Sequence, residues 1–346
     1  MQETEHLAHY KLVFLIFFIL FFAERNSAQD FLPPKTDSLI TLGLDAIINQ
    51  NYDEAKQYFL GLEKYDKIDP LGKIYLAVTS ISRSFDLGEE YNWDYISKLL
   101  GEAIDIAEKN YEKDPMSVMK VYTLALAEGY NAYIKGLNNN WFSAISNGYE
   151  AIGNFEKCLM IDSTFYDAYT AIGTFKYWKS KKVSFLPMVS DERNLGIKYL
   201  ELATTKSRHS NYLAVNSLLW VYIDTKEYSK TIELANKILS KYPRSRLFKW
   251  GLARAYESID FKKSIEVYNE ILNDYNSIKG LNGYHQIVLM HLIAQLEYRD
   301  GNKPKALELC NIILNKKNLS EYVKDELDNR LERVKQLRES IIESTK

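Results

Sequence analysis

The sequence predicts an all-α chain built as a helical-repeat solenoid, and three observations carry that prediction. First, a small residue recurs at Ala55, Ala103, Ala151, Gly196, Thr231, Ser264 and Ala306. Four residues later stand Phe59, Ala107, Phe155, Leu200, Ala235, Tyr268 and Cys310, and seven later Leu62, Asn110, Cys158, Ala203, Ile238, Ile271 and Ile313. Positions i, i+4 and i+7 form one stripe of a helix, so each small residue marks a packing face. Second, the gaps between successive small residues are 48, 48, 45, 35, 33 and 42, the range that stacked helix pairs produce. Third, 7 prolines and 15 glycines against 26 tyrosines and 15 phenylalanines favour helices with bulky packing residues over a loop-rich or disordered chain. At 346 residues the chain is long enough for two ordinary domains, but an array grows by adding neighbours, so one solenoid is expected.

The elements follow in order. Residues 12–22 (LVFLIFFILFF) are an apolar run too short to span a bilayer comfortably as a helix, followed by Ser27 and Ala28. Residues 1–28 therefore read as an export signal, or as an uncleaved N-terminal anchor. In the first unit Leu39, Leu42 and Gly43 precede Ala55 and Phe59 across the turn Asn49-Gln50-Asn51-Tyr52-Asp53. Pro115 closes the second unit, and Ser163 occupies the equivalent place in the third. The fourth unit carries about eleven extra residues between its helices; Phe185, Leu186, Pro187 and Met188 within 179–190 either seal the junction or form a docking tip. The fifth runs Val215, Leu218, Tyr222, then Thr231, Ala235 and Ile238, and Pro243 stops it. The sixth has one residue too few between Tyr256 and Phe261, and the seventh repeats the design through Ile293, Ala294, Gly301, Ala306 and Ile313. Residues 319–344 form an amphipathic last helix, with Val323, Leu327, Leu331, Val334, Leu337 and Ile341 at helical spacing, suited to covering the apolar end of a stack.

These spacings resemble the tetratricopeptide repeat over about residues 36–315. The resemblance implies a right-handed α-solenoid of about seven helix pairs plus a C-terminal capping helix, and it departs from the pattern at Asn110. It also implies that the first helix of each pair lines a concave groove. Projected onto this sequence, the groove begins apolar, with Ile40, Leu44, Ile47, Ile74, Val78 and Ile81. From the third unit it turns aromatic and polar, through Tyr130, Tyr133, Thr170, Thr174 and Tyr177, then Asn216 and Trp220. Trp250 and Arg254 come next, and finally His291, Gln295 and Tyr298. Tryptophan and arginine dominate binding hot spots, so this second half is the candidate partner-binding surface. The alternative is that Trp220 and Trp250 are inter-helix packing residues.

No catalytic residue, metal site or cofactor is expected. His285 and His291 are six apart and face different sides of one helix, and no phosphate loop, HExxH, nucleophile elbow or CxxC occurs. The two cysteines, Cys158 and Cys310, sit on apolar stripes of distant units and are expected to be buried and unpaired. The charged run 325–338 reads as a solvated helix face. With 44 basic and 46 acidic residues there is no electrostatic footprint for nucleic acid. The expected function is a non-catalytic protein- or peptide-binding scaffold, exported to the periplasm or cell envelope, touching a membrane only through an uncleaved N-terminus. The alternative is a small-molecule-binding accessory of a transport system, whose signature is a closed pocket among Tyr177, Trp220, Trp250 and Arg254.

Overall fold

The computed structural model describes residues 32–183 and 190–344. The chain divides into two compact units, residues 1–38 and residues 39–346, and the second holds every described helix except the start of the first. The leader 1–28 and most of the fourth-unit insertion lie outside the described residues, so neither reading of them is addressed by the structure. Among the described residues all regular structure is helical, as the sequence predicts, and no helix is long and apolar enough to cross a membrane.

Among the described residues fifteen helices form seven consecutive pairs and a last helix. The pairs are α1 (Pro34–Ile48) with α2 (Tyr52–Tyr65), α3 (Leu71–Leu87) with α4 (Trp93–Lys113), α5 (Val118–Leu137) with α6 (Trp141–Ile161), and α7 (Asp167–Val183) with α8 (Arg193–Lys206). Then come α9 (Asn211–Asp224) with α10 (Tyr228–Lys241), α11 (Arg246–Tyr256) with α12 (Phe261–Asn276), α13 (Tyr284–Arg299) with α14 (Lys303–Leu314), and α15 (Glu321–Glu343). Consecutive helices pack from α2 onward, and first helices also pack on first helices, α3 on α5, α7 on α9 and α9 on α11. That second set of contacts makes the odd-numbered helices an inner layer. The fold is a tetratricopeptide-like α-solenoid.

The recurring small residues explain the pairing. All seven are buried, and so are all seven partners four residues on. At Gly43 an added Cβ would lie 2.3 Å from the Phe59 ring, so the glycine makes room for the aromatic that fills the first pair. Gly173 and Gly196 meet backbone to backbone, each Cβ position falling 2.7–2.8 Å from the other's carbonyl oxygen, which brings α7 and α8 into close approach. The polar exception at Asn110 has a partner: its Nδ2 donates to the Ile68 carbonyl at 2.7 Å, tying α4 back to the turn before α3. Cys158 and Cys310 are buried and free, as expected.

One turn recurs between the two helices of a pair. Gln50, Asn139, Lys226 and Gly301 all have positive φ, and each stands two residues before a second helix. The following N–H then bonds back to the last turn of the first helix, Asn51 to Ala46, Asn140 to Lys135, Glu227 to Tyr222 and Asn302 to Glu297, at 2.7–2.8 Å. This left-handed closure satisfies carbonyls that a helix end leaves open. Asn140 and Asn302 then cap the next helix by accepting from Ser143 and Lys305.

The array also closes on itself. Asp86 on α3 accepts from Nε of Arg246 on α11 at 2.9 Å and from the Tyr275 hydroxyl of α12 at 3.3 Å. Asp45 accepts from the Tyr242 hydroxyl, and Asn282 donates to the Gly88 carbonyl. His285 Nε2 meets the Phe85 carbonyl at 2.9 Å. The first two pairs are thereby joined to the fifth, sixth and seventh. The apolar end of the projected groove, Ile40, Leu44, Ile47, Ile74, Val78 and Ile81, is buried and offers no open surface.

Candidate binding pocket

The ten residues projected onto the groove separate into two groups. Tyr177 is 1 % exposed and donates its hydroxyl to Asp224 at 2.6 Å, so it fills the α7–α9 interface and presents no surface to a partner. Tyr130 is half-buried, Tyr133 is 47 % exposed, and Tyr298 packs against the last hydrophobic cluster. Asn216 is half-buried, and its Oδ1 has no hydrogen-bond partner among the described residues. These five stand apart from the other five, which share a pocket.

Trp220, Trp250, Arg254, His291 and Gln295 converge on one cavity of about 320 Å³. Helical geometry brings them together. Trp250 and Arg254 are i, i+4 on α11, His291 and Gln295 are i, i+4 on α13, and Trp220 comes from α9, which packs on α11. Val288 and Leu292 complete the α13 wall, and Tyr268 of α12 lies edge-on to Trp250 with ring centroids 5.6 Å apart. Trp220 remains 36 % exposed, which leaves the mouth accessible. The last side is Arg330 and Arg333 of α15, a helix that packs on both α13 and α14.

The two arginines of α15 are not foreseen by the sequence pattern. They sit inside the charged run 325–338, expected to be a solvated face, and the structure turns Arg330 inward while Arg333 stays largely exposed. The readable signal was their i, i+3 spacing, which puts two like charges on one side of a helix otherwise written with both signs.

Charge in the pocket is one-sided. Arg254 Nη1 donates to both oxygens of Glu257, at 2.8 and 2.6 Å, and the Tyr268 hydroxyl also donates to Glu257 at 2.6 Å. Burial opposes the Arg254 charge, but Glu257 outweighs it and the Arg254 pKa lies above the ordinary value. Arg330 is different. Burial first, and then the Arg333 guanidinium, hold its pKa below the ordinary arginine range. Its Nη1 donates to Nδ1 of His291 at 3.3 Å. Among the described residues neither Arg330 nor Arg333 has a carboxylate within ion-pair reach. His291 is 1 % exposed, and burial followed by Arg330 and Arg333 pushes its pKa down to about 4, so the ring is neutral near pH 7. Among the described residues no three His, Cys, Asp or Glu side chains gather to hold a metal ion.

No family model and no curated protein matches this sequence. Solved structures that it is similar to include PilW, a type IV pilus biogenesis factor, at 14 % identity and TM-score 0.48, covering 74 % of this chain and 96 % of that one. TTC0263, a TPR protein of Thermus thermophilus, matches at 15 % identity and TM-score 0.40, covering 64 % and 98 %. Human IFIT1 with PPP-AAAA matches at 14 % identity and TM-score 0.46, covering 83 % and 61 %.

Proposed function

We propose that the chain is a non-catalytic binding scaffold that holds a protein or peptide partner at the pocket between α9, α11, α13 and α15. One observation carries the reading. Five side chains chosen from the sequence for their positions on inner helices, Trp220, Trp250, Arg254, His291 and Gln295, meet at one accessible cavity. Two tryptophans with an arginine are the residue types that dominate binding hot spots, and Gln295 offers an amide for a main chain. The near-balanced charge of the chain supports a protein partner over nucleic acid. Residues 12–22 support an exported, envelope setting.

A second reading has its own support. A cavity of about 320 Å³ walled by Trp220, Trp250 and Arg254 is also the size of a small-molecule site, although Tyr177 lies outside it and its mouth is open where a closed pocket is expected, so an accessory role in transport is the rival. Panning a displayed peptide library against the wild-type chain and Trp220→Ala separates the two. Trp220 is partly exposed, so its loss should leave the fold intact by far-ultraviolet dichroism, whereas Trp250 packs against the last hydrophobic cluster. The scaffold reading expects peptides enriched by the wild type and lost by the variant. Identical enrichment sinks it. No enrichment, together with a metabolite that raises the melting temperature of the wild type alone, favours the rival.

A further inference from the structure

We infer that the pocket is a carboxylate site, in which Arg330 and Arg333 carry the charge and His291 adds a neutral N–H donor. This rests on reading the pocket as the binding site and names what that site recognises. Three guanidiniums reach one small cavity, yet only Arg254 is neutralised, by Glu257. The remaining two lie one turn apart on the α15 side of the cavity and repel each other there, and among the described residues neither has a carboxylate within ion-pair distance. Such an arrangement costs stability, and a ligand that brings the missing negative charge offsets it.

The histidine adds a second, independent observation. Because Arg330 can only donate, Nδ1 of His291 is the acceptor, and a neutral imidazole then carries its proton on Nε2. That Nε2 is buried and has no partner among the described residues. Two guanidiniums without an ion-pair partner and one N–H without an acceptor among the described residues offer donors only, and the group that answers them is acceptor-only. An ionised carboxylate has four lone-pair sites and takes charge-assisted bonds from arginine in a bidentate manner. Two uncompensated charges match a mono- or dicarboxylate, and fall short of a polyphosphate chain. Trp220 and Trp250 beside them suit a ligand with a flat apolar part next to the acid. Such a group is offered either by a peptide with acidic and aromatic residues or by a free aromatic acid.

Calorimetric titration of the full chain tests this with paired probes. A Glu/Phe octapeptide, amidated at its C-terminus, is compared with its Gln/Phe counterpart, and N-acetylphenylalanine with its amide. Binding of acids over amides, weakened by salt and by about tenfold in Arg330→Gln or Arg333→Gln, is expected. The melting temperature of Arg333→Gln stays level or rises, because it removes a like-charge contact without taking a hydrogen bond from buried His291; a fall in that variant would assign Arg333 a structural role and overturn the inference. Acid selectivity in the peptide pair alone names a peptide source, and in the small pair as well a free acid. If the Gln/Phe peptide binds as tightly as its acidic twin but is lost in Trp220→Ala, the pocket reading survives and the carboxylate inference falls. Binding indifferent to Trp220→Ala removes both. Absence of binding by every probe, or arginine-dependent binding of a 5′-phosphorylated RNA octamer alone, also overturns the inference.

Discussion

At His291 a 1 % exposed imidazole lies beside Arg330 and Arg333, and its pKa of about 4 ties the pocket to the pH dependence of folding. The ordinary value is 6.5. An unfolded chain therefore binds a proton that the folded chain refuses throughout the window between the two. Stability contributed by the neutral ring is fully present above pH 6.5 and is lost as pH falls toward 4, by about 3 kcal/mol at the full shift. His285, also held low by burial, contributes with the same sign. Chemical denaturation of the wild type and His291→Gln across that window isolates the His291 share. The gap between the curves should narrow on acidification; a constant gap would mean that His291 does not titrate differently on unfolding. Helical periodicity sets the face of His291, and the resemblance to the tetratricopeptide repeat assigns that face to the groove. Periodicity has no means of pairing it with Arg330, 39 residues away on another element.

Among the elements, the repeated turn shows what sequence encodes openly and what it hides. Small-residue stripes were legible because burial at i, i+4 and i+7 constrains residue type strongly. The left-handed residue of the turn was hidden, because only Gly301 announces it while Gln50, Asn139 and Lys226 adopt the same positive φ with a side chain. Glycine bears that conformation without steric cost, and other residues lose about 1 kcal/mol there. Two substitutions should accordingly move stability in opposite directions. Lys226→Gly should raise the unfolding free energy by about 0.5–1 kcal/mol, and Gly301→Ala should lower it by about 1 kcal/mol. Equal signs in urea unfolding would show that the shared hydrogen bond, and not the φ angle, dominates the turn. The last helix was legible as amphipathic from its leucines and valines. Its arginines were not legible as pocket residues, since a polar helix face reads the same whether it meets water or a cavity.

For the whole molecule the decisive feature is the return of α11 and α12 onto α3, and nothing in a repeat pattern reports it. Nearest-neighbour packing sets each step of a solenoid, whereas closure depends on the accumulated rotation of several steps. Asp86 and Arg246 meet across 160 residues with side chains only 12 % and 7 % exposed, and the Arg246 guanidinium also lies 4.8 Å from the Tyr275 ring centroid. An ion pair this buried holds the closed form by penalty more than by attraction: removing one partner strands the other charge at a cost of about 3–5 kcal/mol, while replacing both with apolar residues costs far less. Asp86→Leu alone should therefore lower the melting temperature steeply and increase the radius of gyration, because Arg246 can regain water only if the first two pairs swing away from α11. The double variant Asp86→Leu with Arg246→Leu should recover most of both quantities. If the double variant is as unstable and as expanded as the single one, the pair contributes direct attraction that apolar contact cannot replace. If the single variant changes neither, closure rests on the Asp45–Tyr242, Asn282–Gly88 and His285–Phe85 contacts instead. The pocket depends on this outcome, because α11 supplies Trp250 and Arg254 from the same helix that begins with Arg246, so the single variant should also weaken whatever the pocket binds.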